Sequence, residues 1–413
     1  MTGIFNPNGI SWDEIEKGLS ESRKGDRDWR NGRVPLYVFH ADDQISEISK
    51  KAYLMFFSEN SLGSRAFPSV ASLEQDVIRM VAQILRGDDA VVGDMTSGGT
   101  ESIFLALKTA RDWARERRPG IAVPEIVVPR TAHPAFNKAA HYLCMKVKRI
   151  RESADFRADV GEMEKAITRD TIMIAGSAPS FPHGVIDPIG QIAEVAEKKK
   201  LWLHVDACVG GMLAPFVKKL GYLVPDFDFS IPGVTSISVD LHKYGFSAKP
   251  ASSILFKNED YHQYQKFTFE EWPSAPYSTQ AFAGTRPGGA VASAWAVMKY
   301  LGEAGYLRIA QEIMEVRRRL MDGITGIPGL KLWGQPDLSI IGFGSETMDI
   351  HAVGDEMDMR GWFVARNIEP PALTHMLMPV HAKMIESYLS DLKAIVENAK
   401  TAGKKSDKKA MRY

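Results

Sequence analysis

Seven short apolar runs constrain this chain more than any other feature: AVVGDM (90–95), EIVVP (125–129), MKVKRI (145–150), TIMIAG (171–176), LWLHVDA (201–207), TSISVD (235–240) and SSILF (252–256). Helical stretches stand between most of them. Strands separated by helices are joined by right-handed crossovers and pair mostly in parallel. The expected fold class is therefore α/β, with a central, mostly parallel seven-stranded sheet.

After about residue 287 the pattern changes to two helical stretches (288–306 and 307–324), strand-like LKLWG and LSIIGFGS, a helix near AVGDEMDMRGW and a last helix from about 379 to 400. These smaller elements suggest an α+β C-terminal domain. The expected division is an N-terminal segment (1–60) with a helix around Ile45 to Met55, a large α/β domain (61–286), a C-terminal domain (287–400) and a charged, disordered tail (401–413).

Lysine plus arginine equals aspartate plus glutamate at 51 each, so no global field recruits nucleic acid or an anionic membrane. Two cysteines, Cys144 and Cys208, lack metal-type spacing and suit a reducing compartment. No signal peptide or run of about 20 apolar residues is visible, and a cytoplasmic protein is expected.

In open α/β sheets, ligands bind beyond the carboxyl ends of the strands. Four such places carry polar chemistry. MTSGGTES (95–102) lies between a strand and a helix, where Gly98 and Gly99 permit close backbone approach and Ser97 and Thr100 add hydroxyls to an anion-binding helix N-terminus. Taken alone, it reads as a Ser/Thr cap on a glycine turn. His133 follows EIVVP, placed to stack on a flat ligand or to start the next helix. LWLHVDA ends in His204 and Asp206, a carboxylate that caps the next helix, meets a base or pairs with a pyridinium nitrogen. SVDLHKYG delivers His242 and Lys243 at a strand end, where a surface lysine is least expected.

An amine nucleophile, a carboxylate and a phosphate cradle on one sheet edge are the parts that hold pyridoxal 5'-phosphate. The lysine joins the aldehyde as a Schiff base, the acid keeps the ring nitrogen protonated and the helix end takes the phosphate.

Through TSGGTESI, PEIV, AHPAFNKAA, FPHGVIDP, LHVDAC, GVTSIS, HKYG and GTRPGG, from about residue 26 to 395, the chain resembles the sphingosine-1-phosphate lyases, relatives of the group II amino-acid decarboxylases within the aspartate aminotransferase fold (fold type I). The resemblance implies that Lys243 carries the cofactor, Asp206 pairs with its ring nitrogen and His133 stacks on it. Ser97, Gly98, Gly99, Thr100, His204 and His242 complete the cofactor contacts. Gly284 and Thr285 come from the partner of a homodimer whose N-terminal segment embraces the other subunit.

The resemblance also implies retro-aldol cleavage of a phosphorylated long-chain base to a fatty aldehyde and phosphoethanolamine, with Tyr277 assisting proton transfer and Lys249 meeting the substrate phosphate. Two positions depart from the family: Phe39 or His40 stands in YVFHAD where the family has a tyrosine, and Gly63 stands where it has a histidine. Either Arg65, with Ser61, Ser64 and His40, supplies replacement phosphate donors, or the chain acts on a different amino substrate, with a carboxylate or no phosphate. YLMFF (53–57) and FTFEEW (267–272) line an acyl channel or pack in the core. The competing readings are an amino-acid decarboxylase using the same cofactor and a cofactor-binding protein without turnover.

Overall fold

The computed structural model describes residues 5–402 and 406. Apart from 401, 402 and 406, the expected disordered tail lies outside the described residues.

Each apolar run becomes a strand of one sheet: β1 Val92–Thr96, β2 Glu125–Pro129, β3 Lys146–Ile150, β4 Thr171–Ser177, β5 Trp202–Asp206, β6 Ser236–Val239 and β7 Ser252–Phe256. Their spatial order is β1-β7-β6-β5-β4-β2-β3. All pairings are parallel except those of β7, which runs antiparallel to β1 and β6. Helices cover both faces, so β2, β4, β5, β6 and β7 are buried along their whole length, which is why they read as unbroken apolar runs. Because β7 runs backwards, its first residue, Ser252, lies beside Thr96 at the carboxyl end of β1.

A hairpin of β8 (Phe267–Phe269) and β9 (Tyr277–Thr279) projects from the body. The helical segment 288–325 that follows breaks at Gly302 (φ 53°, ψ −170°), dividing it near the boundary between the two helical stretches. A second sheet then forms from β10 (Lys331–Leu332), β11 (Ile340–Gly344), β12 (Ala365–Asn367) and β13 (Ala372–Met376), in the order β10-β11-β13-β12. Its outer face packs with helices 350–359 and 385–402 around Phe343, Trp362, Tyr388 and Leu392. Ile340 and Met376 join the core of the large sheet. The sequence pattern misses β12 and β13, because Pro370 and Pro371 between them read as loop.

Candidate active site

β6 ends at Val239, and the chain turns at once through Asp240, His242 and Lys243. Lys243 Nζ lies 2.8 Å from Asp240 Oδ2. Asp240 is buried, accepts from Ser252 Oγ at 2.5 Å and has His242 Nε2 at 3.8 Å. Ser252 in turn meets Ser102 Oγ, and Ser102 meets Thr96 Oγ1, so hydroxyls from β1, its following helix and β7 fix the carboxylate. Burial alone would favour a neutral Lys243, but the Asp240 charge outweighs it and holds the amine above its usual range. Burial likewise acts to raise Asp240, yet the adjacent Lys243 and His242 keep it below the usual carboxylate range.

Asp206 ends β5. Its Oδ1 accepts from the Cys208 amide at 3.1 Å and from Ser238 Oγ at 3.4 Å. Residues two apart on a strand share a face, which puts Trp202, His204 and Asp206 in line opposite Ser236 and Ser238 of β6. Trp202 Nε1 donates to Ser236 Oγ at 2.8 Å, His204 Nδ1 meets the same hydroxyl at 2.9 Å, and His204 Nε2 meets Ser238 Oγ at 3.3 Å. Burial pushes His204 down to about 4, so a neutral ring supports Asp206 through a serine. His204 is thus an indirect support rather than a cavity wall: it lies inside the sheet, one pleat behind Asp206.

One cavity of about 590 Å³ gathers Ser97, Gly98, Gly99, Thr100, His133, Asp206, His242, Lys243 and Lys249. Gly99 begins the helix Gly99–Arg117, whose first amides have no partner within the helix and face an anion readily. A Cβ on Gly99 would lie 2.7 Å from Cys208 Sγ and 3.2 Å from Asp240 Oδ1, so only glycine fits there. His133 Nδ1 accepts from the Ala135 amide at 3.1 Å, and burial lowers its pKa, leaving an uncharged ring. Lys249, exposed at the rim, donates to the Tyr37 carbonyl at 2.9 Å.

Other expected residues lie elsewhere in the chain. Tyr277 is on β9, packed near Phe267 and Trp272. Gly284 is exposed, and Thr285 Oγ1 accepts from Asn60 Nδ2 at 3.3 Å; neither lines this chain's cavity. Arg65 is exposed on its loop, and Ser61 and Ser64 border a different cavity. His40 is held by Ser46 Oγ at 3.1 Å and packs edge-on against Trp29, so it does not replace the missing phosphate donor within the cavity. Phe39 does line the cavity, edge-on to Tyr244.

Asp240, Tyr37 and Cys208 are among the cavity residues to which the sequence alone assigns no role in the site. Asp240 stands three residues before Lys243, and the turn after β6 folds it back against the Lys243 amine. Tyr37 reaches the rim because the chain takes a left-handed turn there (φ 64°), which no local signal announced. Cys208 was weighed only as a thiol; buried under Gly99, it sets the floor of the helix-end cradle.

The residues present fit a pyridoxal phosphate. The helix N-terminus with a steric demand for glycine offers a phosphate seat, and the Lys243 amine faces the same cavity. Asp206 is a buried carboxylate that, among the described residues, has no lysine or arginine within ion-pair distance, the setting in which a protonated ring nitrogen is welcome. Fold and site together define a pyridoxal-phosphate-dependent enzyme of fold type I.

The comparisons agree. A family model described as the pyridoxal-dependent decarboxylase conserved domain matches residues 55–344. The chain is 44% identical over 395 residues to the sphingosine-1-phosphate lyase of Oryza sativa, covering 94% of this chain and 73% of that one. The structure of a Burkholderia pseudomallei sphingosine-1-phosphate lyase superposes with a TM-score of 0.92 at 34% identity, covering 96% and 93% of the two chains. A probable L-tyrosine/L-aspartate decarboxylase of Methanothermobacter thermautotrophicus is 34% identical over 353 residues, 84% of this chain and 94% of that one. The chain belongs to the sphingosine-1-phosphate lyase family, within the pyridoxal-dependent decarboxylases.

Proposed function

We propose that the protein cleaves sphingosine 1-phosphate, or a related phosphorylated long-chain base, between the amine-bearing and hydroxyl-bearing carbons, giving a fatty aldehyde and phosphoethanolamine. The observation that carries this reading is the grouping of Lys243, Asp206, His133 and the Gly98–Gly99 helix end in one cavity whose rim carries the cation Lys249. When bound, pyridoxal phosphate supplies an electron sink for the carbon left negative by cleavage.

The chain's own residues do the rest. Gly98, Gly99 and Thr100 would hold the cofactor phosphate. Asp206, braced by Ser238 and the Cys208 amide, would hold a positive ring nitrogen. His133 would meet the ring as a neutral imidazole. Lys243 is the amine that would join the aldehyde, and Asp240 at 2.8 Å fixes its position in the cavity. The reaction removes one proton from the substrate hydroxyl and returns one to the amine-bearing carbon, so no other reactant is consumed. Leu36, Phe39, Phe181 and Met376 give the cavity an apolar wall for the start of the acyl chain, while Lys249 and Tyr37 stand at its rim for the substrate phosphate.

Most of YLMFF and FTFEEW is surface on this chain: Leu54, Met55 and Phe57 are 68%, 75% and 70% exposed, and Phe267, Phe269 and Trp272 are exposed as well, while Phe56 packs against the core. Such apolar surface supports a homodimer in which Tyr277, Gly284 and Thr285 complete the partner's cavity. Two free cysteines fit a reducing, cytoplasmic setting. Among the described residues no helix is long and apolar enough to cross a membrane.

The test is aldehyde release from phosphorylated and unphosphorylated long-chain bases, run beside carbon dioxide release from amino acids. Aldehyde from the phosphorylated bases is expected. Carbon dioxide release without aldehyde would establish the decarboxylase reading, which the 34% identical decarboxylase keeps in view.

A further inference from the structure

The charges of this chain cancel overall, yet they are not evenly spread. A cavity of about 540 Å³ is lined by Arg117, Arg118, Lys199, Lys200 and Lys257 against a single carboxylate, Asp260. Its remaining walls include Trp113 and Tyr261. The elements that form it place it at the sheet edge opposite Lys243. Arg117 and Arg118 end the helix that leads to β2, Lys199 and Lys200 precede β5, and Lys257 follows β7, which runs the other way.

We propose that this cavity binds a phosphate-bearing ligand with an aromatic ring, a nucleotide in chemical class. Basic side chains collect at helix C-termini to complement the dipole, which accounts for Arg117 and Lys199. These two also have acids nearby, Glu116 and Glu164, each at 3.7 Å. The dipole does not account for Lys257, which follows a strand, while Arg118 and Lys200 are the C-cap residues of their helices, Lys200 in a left-handed conformation (φ 54°).

Arg118 and Lys257 are positioned by neutral carbonyl oxygens: Arg118 donates to Thr171 at 2.6 Å and Arg169 at 2.8 Å, and Lys257 to Pro232. Among the described residues Arg118, Lys200 and Lys257 form no ion pair, so their charge remains available to an anion.

The aromatic walls are fixed in advance. Trp113 and Tyr261 each pack edge-on against the buried Trp202, with ring centroids 5.9 and 5.2 Å away. Held rings cost a ligand little ordering entropy, and they suit a planar base or ring more than a bare phosphate.

The experiment titrates full-length holoenzyme, borohydride-reduced so that the catalytic phosphate seat is filled, with ATP, pyrophosphate and sulfate by calorimetry and tryptophan fluorescence. Saturable ATP binding is expected at one per chain, tighter than pyrophosphate and far tighter than sulfate. The Lys200→Ala/Lys257→Ala double variant should weaken ATP about tenfold or more, with the lyase turnover of the unreduced enzyme unchanged. Trp113→Phe should remove most of the fluorescence change while binding persists. Absence of saturable heat, equal titration by ATP and sulfate, or an unaltered double variant would each overturn the proposal.

Discussion

Replacing Asp240 with asparagine keeps the shape of the side chain and removes its charge. At 2.8 Å and an effective dielectric of about 20, the Lys243–Asp240 attraction is roughly 6 kcal/mol, part of which offsets the burial of both groups. Breaking a buried pair by removing one partner typically costs about 3–5 kcal/mol. Converted at about 1.4 kcal/mol per pH unit, Asp240→Asn should lower the titration of the Lys243 amine by about two pH units or more.

The sign follows from the shifts. Lys243 is raised in the folded protein, so its share of stability is present below the unfolded lysine pKa of about 10.4 and is lost as pH rises through the folded value. Asp240 is depressed, so its share is present above about 3.9 and is lost as pH falls through the folded value. The pair therefore stabilises the protein across the whole neutral range, and the asparagine variant should be less stable throughout it. In the assay, cofactor-free enzyme is mixed with pyridoxal phosphate and the rate of visible-band formation is followed against pH. The variant's profile should move to lower pH, because more of its amine is neutral. A profile superimposable on that of the wild type would refute the coupling.

Three further outcomes are expected. Gly99→Ala should weaken cofactor binding by about 1–3 kcal/mol through overpacking against Cys208, and Gly99→Ala/Cys208→Ala should recover part of that loss, both measured by cofactor titration. Lys249→Ala should raise the KM for a phosphorylated base about tenfold or more while leaving cofactor absorbance intact; unchanged kinetics would remove Lys249 from the substrate site. Mixing inactive Lys243→Ala with impaired Tyr277→Phe subunits should restore activity if Tyr277 serves the partner's cavity. Purely additive activities in the mixture would place its action in its own chain.

Much of the architecture was legible because the seven central strands are buried on both faces and so leave long apolar runs. The short strands β12 and β13 left no such run, and two prolines disguised them. Lys243, Asp206, His133 and the glycine loop could be found because each lies at or just past the carboxyl end of a strand, and those ends converge at one sheet edge. Asp240 follows a strand too, but its partner is chosen by a turn that brings it back under Lys243. Tyr37 depends on a left-handed residue in a loop, and His40, adjacent to the expected tyrosine position, is drawn away by Ser46 and Trp29. Surface apolar residues such as Phe57 and Trp272 carry no mark in one sequence that separates core from interface.

We propose Lys243 as the residue that joins the cofactor. Purified protein loaded with pyridoxal phosphate, reduced with borohydride and mapped by mass spectrometry should carry the label on the peptide containing Lys243, one per chain. Label scattered over exposed lysines, or retained at full level in Lys243→Ala, would contradict it.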